Sequence, residues 1–241
     1  MCTVTIIPKP NNGFVLTSNR DEAPNRVSLE PDFYTIDGVK TLFPKDKLSG
    51  GTWIGLSEKN RVVCVLNGGF GLHERKPSYR KSRGVVAKDF MVANVIETTI
   101  EAYNLKDIEP FTIVIIDWNT GLKFYELVWN GEDKYFSKLP NEPKIWSSST
   151  LYSEAMKKER LNWFESFKNE NELDEASVLK FHKTAGGNNE DFGVIMDRYF
   201  VKTTSITQVV KETDVVSMYH ENLQNKTITT KTFNFPQVVN G

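Results

Sequence analysis

Cysteine and histidine are scarce in this chain of 241 residues, which has two of the first and three of the second. Cys2 and Cys64 do not amount to the disulfide framework of a small secreted domain. His73, His182 and His220 are scattered, without metal-ligand spacing to cysteines or acids. Charge of either sign is not in excess: 30 basic and 31 acidic side chains leave a formal net charge of −1, which removes the electrostatic case for nucleic acid or an anionic membrane. No stretch approaches the roughly 20 apolar residues of a membrane helix. The first residues lack the charged stretch and apolar core of a secretory signal, so a reducing cytoplasm is expected. Phosphate-binding Gly-x-x-x-x-Gly-Lys-Ser/Thr, dinucleotide-binding Gly-x-Gly-x-x-Gly and the serine-hydrolase Gly-x-Ser-x-Gly are also missing. These absences leave a small-molecule partner, with no cofactor and no metal. The length suits one domain over 1–241.

What the chain does have begins at its second residue. Cys2 follows Met1 directly, where methionine aminopeptidases cut when the second residue is small. Removal of Met1 would join a thiol nucleophile to a free α-amine with a pKa of about 7.7 to 8.0, a general base suited to neutral pH. Asn11-Asn12-Gly13 lies between the runs Thr3–Ile7 and Phe14–Ser18, the pattern of an antiparallel hairpin. Pairing about that turn returns Asn19, Arg20, Asp21 and Glu22 to Cys2. A guanidinium beside a thiol lowers its pKa, so Arg20 would keep Cys2 ionised or orient the substrate, and Asp21 would hold the α-amine. The plainer reading of Arg20, Asp21 and Glu22 is a solvated charge cluster at a strand end.

Further strands follow from alternation and turn residues. Thr52–Leu56 and Arg61–Leu66 form a second hairpin ending in Asn67-Gly68-Gly69. The Asn67 amide there could face an oxyanion, and the glycines would let backbone approach a substrate. Phe111–Ile116 and Leu122–Val128 form a third hairpin, and Tyr135–Leu139 adds a strand. Helical periodicity covers Ser82–Tyr103 as one or two helices. Ser153–Asn169 is the clearest helix, with a Met156, Trp163, Phe164, Phe167 stripe that reads as core. A shorter helix runs from Asp174 to Ala185 and stops at Gly186-Gly187. Thr203–Val210, Val215–His220 and Thr227–Phe233 are strands again. Helices set between antiparallel hairpins point to an α+β fold. Cys64 reads as a buried strand residue. Gly71–Arg83 is expected as a loop near the site mouth, and Phe33–Leu48 and Gly71–Arg83 could both cover the pocket.

Met1-Cys2-Thr3, Ser18-Asn19-Arg20-Asp21-Glu22 and Gly50-Gly51-Thr52-Trp53-Ile54-Gly55-Leu56, leading to Leu66-Asn67-Gly68, occur in an order and spacing that resemble the transport and Golgi organisation 2 family, also named for its Asn-Arg-Asp-Glu motif. That family is similar to the N-terminal nucleophile hydrolases, including cysteine amidases of bile-salt and penicillin V amides. The resemblance implies a four-layer αββα sandwich. It also implies Cys2, Arg20, Asp21 and Asn67 as catalytic residues, with Asn19, Glu22, Gly68, Ser148 and Lys202 at the substrate. Two positions depart from the pattern. Ser148, in Trp146-Ser147-Ser148-Ser149, stands where members carry asparagine, and Lys202 stands for an arginine, which loses the planar bidentate fork.

The activity implied is cleavage of a small amide by Cys2 after Met1 is removed. The competing reading is a non-catalytic ligand-binding or trafficking protein that keeps the hydrolase fold and carries haem or a lipid-like ligand. A retained Met1 would favour that second reading, because it blocks the amine that should act as base.

Overall fold

A computed structural model describes residues 2–235, apart from the Cys2 side chain. The first hairpin joins β1 (Cys2–Lys9) to β2 (Gly13–Glu22). Its turn is centred one residue earlier than Asn12-Gly13: Asn11 and Asn12 are the central pair, both left-handed at φ 56° and 58°. Gly13 N–H closes it on the Pro10 carbonyl at 3.0 Å. Asparagine tolerates this mirror-image turn, whose twist matches that of the strands. Gly13 answers a different need, since a Cβ there would lie 2.9 Å from the Lys211 carbonyl oxygen.

The segment Phe33–Leu48, which could cover the pocket, is mostly part of a hairpin. β3 (Ser28–Ile36) and β4 (Val39–Asp46) meet at Asp37-Gly38, both with positive φ. Pro31 lies inside β3 and Pro44 inside β4. Both are tolerated because β3 is an edge strand with a register shift between Leu29 and Asp32, and β4 pairs with the next strand only through Thr41 and Leu42. β5 (Ile54–Ser57) and β6 (Arg61–Asn67) form the second expected hairpin. Helices α1 (Arg83–Val92) and α2 (Ile96–Ala102) resolve the single helical stretch into two. Then come β7 (Phe111–Asp117), β8 (Lys123–Trp129), β9 (Lys134–Leu139) and β10 (Lys144–Ser147). α3 (Glu154–Glu170) and α4 (Glu175–Thr184) precede β11 (Lys202–Glu212), β12 (Val215–Asn222) and β13 (Thr227–Phe233). Ser82, Ser153 and Asp174 cap α1, α3 and α4 by accepting a backbone N–H three residues on.

The strands make two antiparallel sheets, one ordered β10-β1-β2-β11-β12-β13 and the other β3-β4-β5-β6-β7-β8-β9. Strand alternation assigns each face. In β2, Phe14 and Leu16 join the core shared with Ile54, Val114 and Ile116 of the second sheet, while Val15 packs with Phe164, Val178 and Phe181 of the helices. α3 and α4 therefore cover the outer face of the first sheet, and α1 and α2 the outer face of the second. This is the expected four-layer αββα sandwich. Cys64 is fully buried inside β6.

Candidate functional site

The site starts from β2, which presents opposite chemistry on its two faces. Register sets Cys2 opposite Arg20 and Thr3 opposite Asn19. The Cys2 side chain and Met1 lie outside the described residues. Arg20 and Glu22 point into a cavity of about 160 Å³ at the end of the sandwich where β2, β4 and β6 stop and α1 starts. Asn19 and Asp21 face the helices instead.

In the cavity, Arg20 is 3 % exposed and held on several sides. One of its nitrogens donates to Asp46 Oδ2 at 2.8 Å, another to Thr204 Oγ1 at 3.3 Å, and its guanidinium lies 4.5 Å from the centre of the Trp53 ring. Asp46 also accepts from Arg26 Nε at 2.8 Å and, through its other oxygen, from Ser49 N–H at 2.8 Å. Burial pushes the Asp46 carboxyl up, but the Ser49 N–H and Arg26 outweigh that and hold it below its ordinary value. Glu22 follows the same pattern: burial raises it, and Ala23 N–H, Arg26 and Arg20 bring it below the usual range. Asp46 was not among the residues singled out from the sequence. Its only signal is a carboxylate just before Gly50-Gly51-Thr52-Trp53.

Asn67 ends β6 at the cavity wall. Its carbonyl oxygen accepts from Ser148 Oγ at 2.7 Å, and its side-chain amide bonds to no described residue. Gly68 follows at φ 87°, and a Cβ there would lie 3.0 Å from Thr150 Cγ2, so a side chain would be strained by the backbone conformation and would crowd Thr150. Ser148 is therefore brought to Asn67, from the other sheet's β10 connection. Lys202 is not: it lines a separate depression with Asp197 and Gln224, although its backbone pairs with Glu22.

On the opposite face, Asn19 spends its amide on structure. Its Nδ2 donates to the carbonyls of His182 and Val194 at 2.9 and 2.7 Å, and its Oδ1 accepts from His182 Nδ1 at 2.6 Å. That fixes the neutral tautomer, whose Nε2 accepts from Thr5 Oγ1 at 2.8 Å. Burial, with Arg160 nearby, pushes the His182 pKa down to about 3. Asp21 is fully buried and accepts from Tyr152 Oη at 2.7 Å and Thr203 Oγ1 at 2.8 Å. Burial raises its pKa against the lowering pull of Arg160. Arg160 itself donates to Thr3 Oγ1 and to the Phe192 and Gly193 carbonyls. Asn19 and Asp21 thus tie β1 and β2 to α3, α4 and the chain beyond them.

The loop expected from Gly71 to Arg83 is irregular up to the cap of α1, and its Arg75 and Ser82 line the cavity with Arg83. Among the described residues, no group of three or more His, Cys, Asp or Glu could hold a metal ion, and no helix is long and apolar enough to cross a membrane.

The fold is that of the N-terminal nucleophile hydrolases. Penicillin V acylase from Agrobacterium tumefaciens superposes with a TM-score of 0.60 at 10% identity, covering 95% of this chain and 85% of its own. A point variant of the conjugated bile acid hydrolase from Clostridium perfringens gives 0.54 at 12% identity over 98% of both chains. The Caenorhabditis elegans orthologue of N-acylethanolamine-hydrolyzing acid amidase gives 0.58 at 12%, covering 86% and 92%. No curated protein matches the sequence. The family model for transport and Golgi organisation 2 matches residues 1–232, and the chain belongs to that family.

Proposed function

We propose that the protein is an N-terminal cysteine amidohydrolase that cleaves the C–N bond of a small amide once Met1 has been removed. The observation that carries this reading is the register of the first hairpin, which sets Cys2 opposite Arg20, a residue that lines a polar cavity. In the acylation step the Cys2 sulfur bonds to the amide carbonyl carbon, and the α-amine of the same residue takes the thiol proton and delivers it to the departing amine as the C–N bond breaks. Water then cleaves the thioester, giving a carboxylic acid and restoring the thiol. The Asn67 amide and backbone N–H groups stabilise the oxyanion, and Asp46 holds the Arg20 guanidinium in the cavity. Substrate contacts fall to Glu22, Gly68 and Ser148. Asp21 acts from behind the strand by fixing the hairpin end, and Asn19 does the same through α4.

The structural neighbours support a hydrolase fold of this kind, being named as a penicillin V acylase, a conjugated bile acid hydrolase and an orthologue of an acid amidase. The test is alkylation of the thiol, with the adduct located by mass spectrometry, and amide hydrolysis before and after Cys2→Ala. The loss expected is at least about a thousandfold, because a covalent step has no substitute in alanine. Hydrolysis that survives the substitution refutes the proposal, as does an intact mass showing Met1 retained in active protein.

A further inference from the structure

The cavity beside Arg20 is unbalanced in charge. Four guanidinium groups line it, those of Arg20, Arg26, Arg75 and Arg83, against the three carboxylates of Glu22, Asp46 and Glu109. Asp46 and Glu22 are taken by Arg20 and Arg26, which they meet at 2.8 to 3.9 Å. That leaves Glu109 alone to face Arg83 at 3.1 Å, His73 at 3.5 Å and Arg75 at 3.9 Å. Arg75 is the least engaged, with its side chain 80 % exposed at the mouth, whereas Arg83 is 17 % exposed. Burial lowers the Arg83 pKa against the raising pull of Glu109, and the neighbouring Arg75 adds to the lowering.

Two other features have the same sign. Ser82, Arg83 and Gly84 bring the start of α1, a helix of 10 residues with no acid in its first turn, to the cavity wall. The positive end of its dipole favours an anion there. Trp53, which also lines the cavity and is 6 % exposed, has its indole N–H without a hydrogen-bond partner among the described residues. A guanidinium fork, a helix start and an unpaired N–H around one space are the donors that a carboxylate accepts from.

We propose that Arg75 and Arg83, with the first turn of α1, form an anion subsite that receives a carboxylate carried by the substrate. The inference rests on the amidohydrolase reading and narrows it: the scissile amide belongs to a molecule with a carboxylate within a few bonds of it. The free alternative is a small anion from solution held in the same place.

The test uses the full-length Cys2→Ala protein, in which alanine still permits Met1 removal and binding is read without turnover. Octanoylglycine and its neutral isostere octanoylglycinamide are titrated calorimetrically. The carboxylate should bind at least about tenfold more tightly, the effect of a charge-assisted pair. Arg75→Gln and Arg83→Gln should bring that ratio toward one while leaving octanoylglycinamide affinity unchanged, and Arg83→Lys should restore part of it if Arg83→Gln loosens the fold. Equal binding of the two compounds, no binding of either, or a ratio unaltered in both arginine variants overturns the subsite. Sodium acetate that competes with octanoylglycine supports it, and acetate that binds beside octanoylglycine without competing overturns the assignment to substrate. Hydrolysis of octanoylglycine by the Cys2 protein is scored apart. An intact preference without hydrolysis leaves the subsite standing and removes the enzyme reading; hydrolysis without preference does the reverse.

Discussion

Replacing Asp46 by Asn tests the reasoning about the cavity at its hinge. The side chain keeps its shape, but one anion disappears from between Arg20 and Arg26, and an amide N–H₂ now competes with the guanidinium donors. The two contacts do not count equally. The Arg20 pair is almost wholly buried, with side chains 4 % and 6 % exposed, whereas Arg26 is 35 % exposed and screened by water. Breaking a buried pair by removing one partner costs about 3–5 kcal/mol. The exposed pair adds about 0.2–1 kcal/mol. Taking about 3 kcal/mol as the working figure, the midpoint of thermal unfolding should fall by about 6–12 °C in a chain of this size.

The loss should also depend on pH in a defined direction. The folded Asp46 carboxyl is held below its ordinary value of 3.8, so its contribution is complete above that value and fades as pH falls through the lower folded one. Differential scanning calorimetry of wild type and Asp46→Asn should therefore show the full gap at pH 7 and a closing gap below about pH 4. A gap under about 2 °C at pH 7, or one constant down to pH 3, would refute the account of Asp46 as the residue that holds Arg20.

Acid should act on the buried histidines well before it acts on the carboxylates. Burial pushes His182 to about 3 and His220 to about 4. Both stay neutral when folded but charge in the unfolded chain below about 6.5, so stability falls from there as pH drops, by up to about 1.4 kcal/mol per unit for each histidine. Urea midpoints between pH 7 and 5 should show this slope, and His182→Gln should flatten it; an unaltered slope would contradict the neutral tautomer. Gly68→Ala asks for a left-handed alanine against Thr150, a loss of about 1–2 kcal/mol before any clash is counted. Its melting temperature should drop by about 2–8 °C, and an unchanged melt would mean that the turn after Asn67 is not constrained as described.

Most of the fold was legible because its hairpins announce themselves locally. Asn11-Asn12-Gly13 and the Thr52–Leu66 pair need only neighbours to be recognised, and the helix ends carry Ser153 and Asp174 as caps. Where reading failed, long-range pairing had overridden local cues. Pro31 and Pro44 disguise strands that exist only because the sheet has room for an edge there. Lys144–Ser147 carries no alternation of its own and becomes a strand by adding to β1. At the site, sequence proximity grouped Asn19, Arg20, Asp21 and Glu22, but strand alternation sends them to opposite faces. Asp46, Trp53 and Arg83 reach the cavity from three separate elements, and no spacing in the chain links them.

That distribution has a consequence for the order of synthesis. β2 finds β1 at once, but its other edge is completed by β11, where Thr203, the partner of Asp21, lies 182 residues further on. At about 5–20 residues per second, a ribosome needs roughly ten to forty seconds to deliver it. During that interval a strand with apolar residues on both faces has an unpaired edge, the kind of surface on which chains associate wrongly. The newborn protein therefore needs either a chaperone or an early collapse of β1 and β2 onto other strands. A frameshift or stop codon anywhere before β11 leaves an incomplete site and an adhesive fragment together.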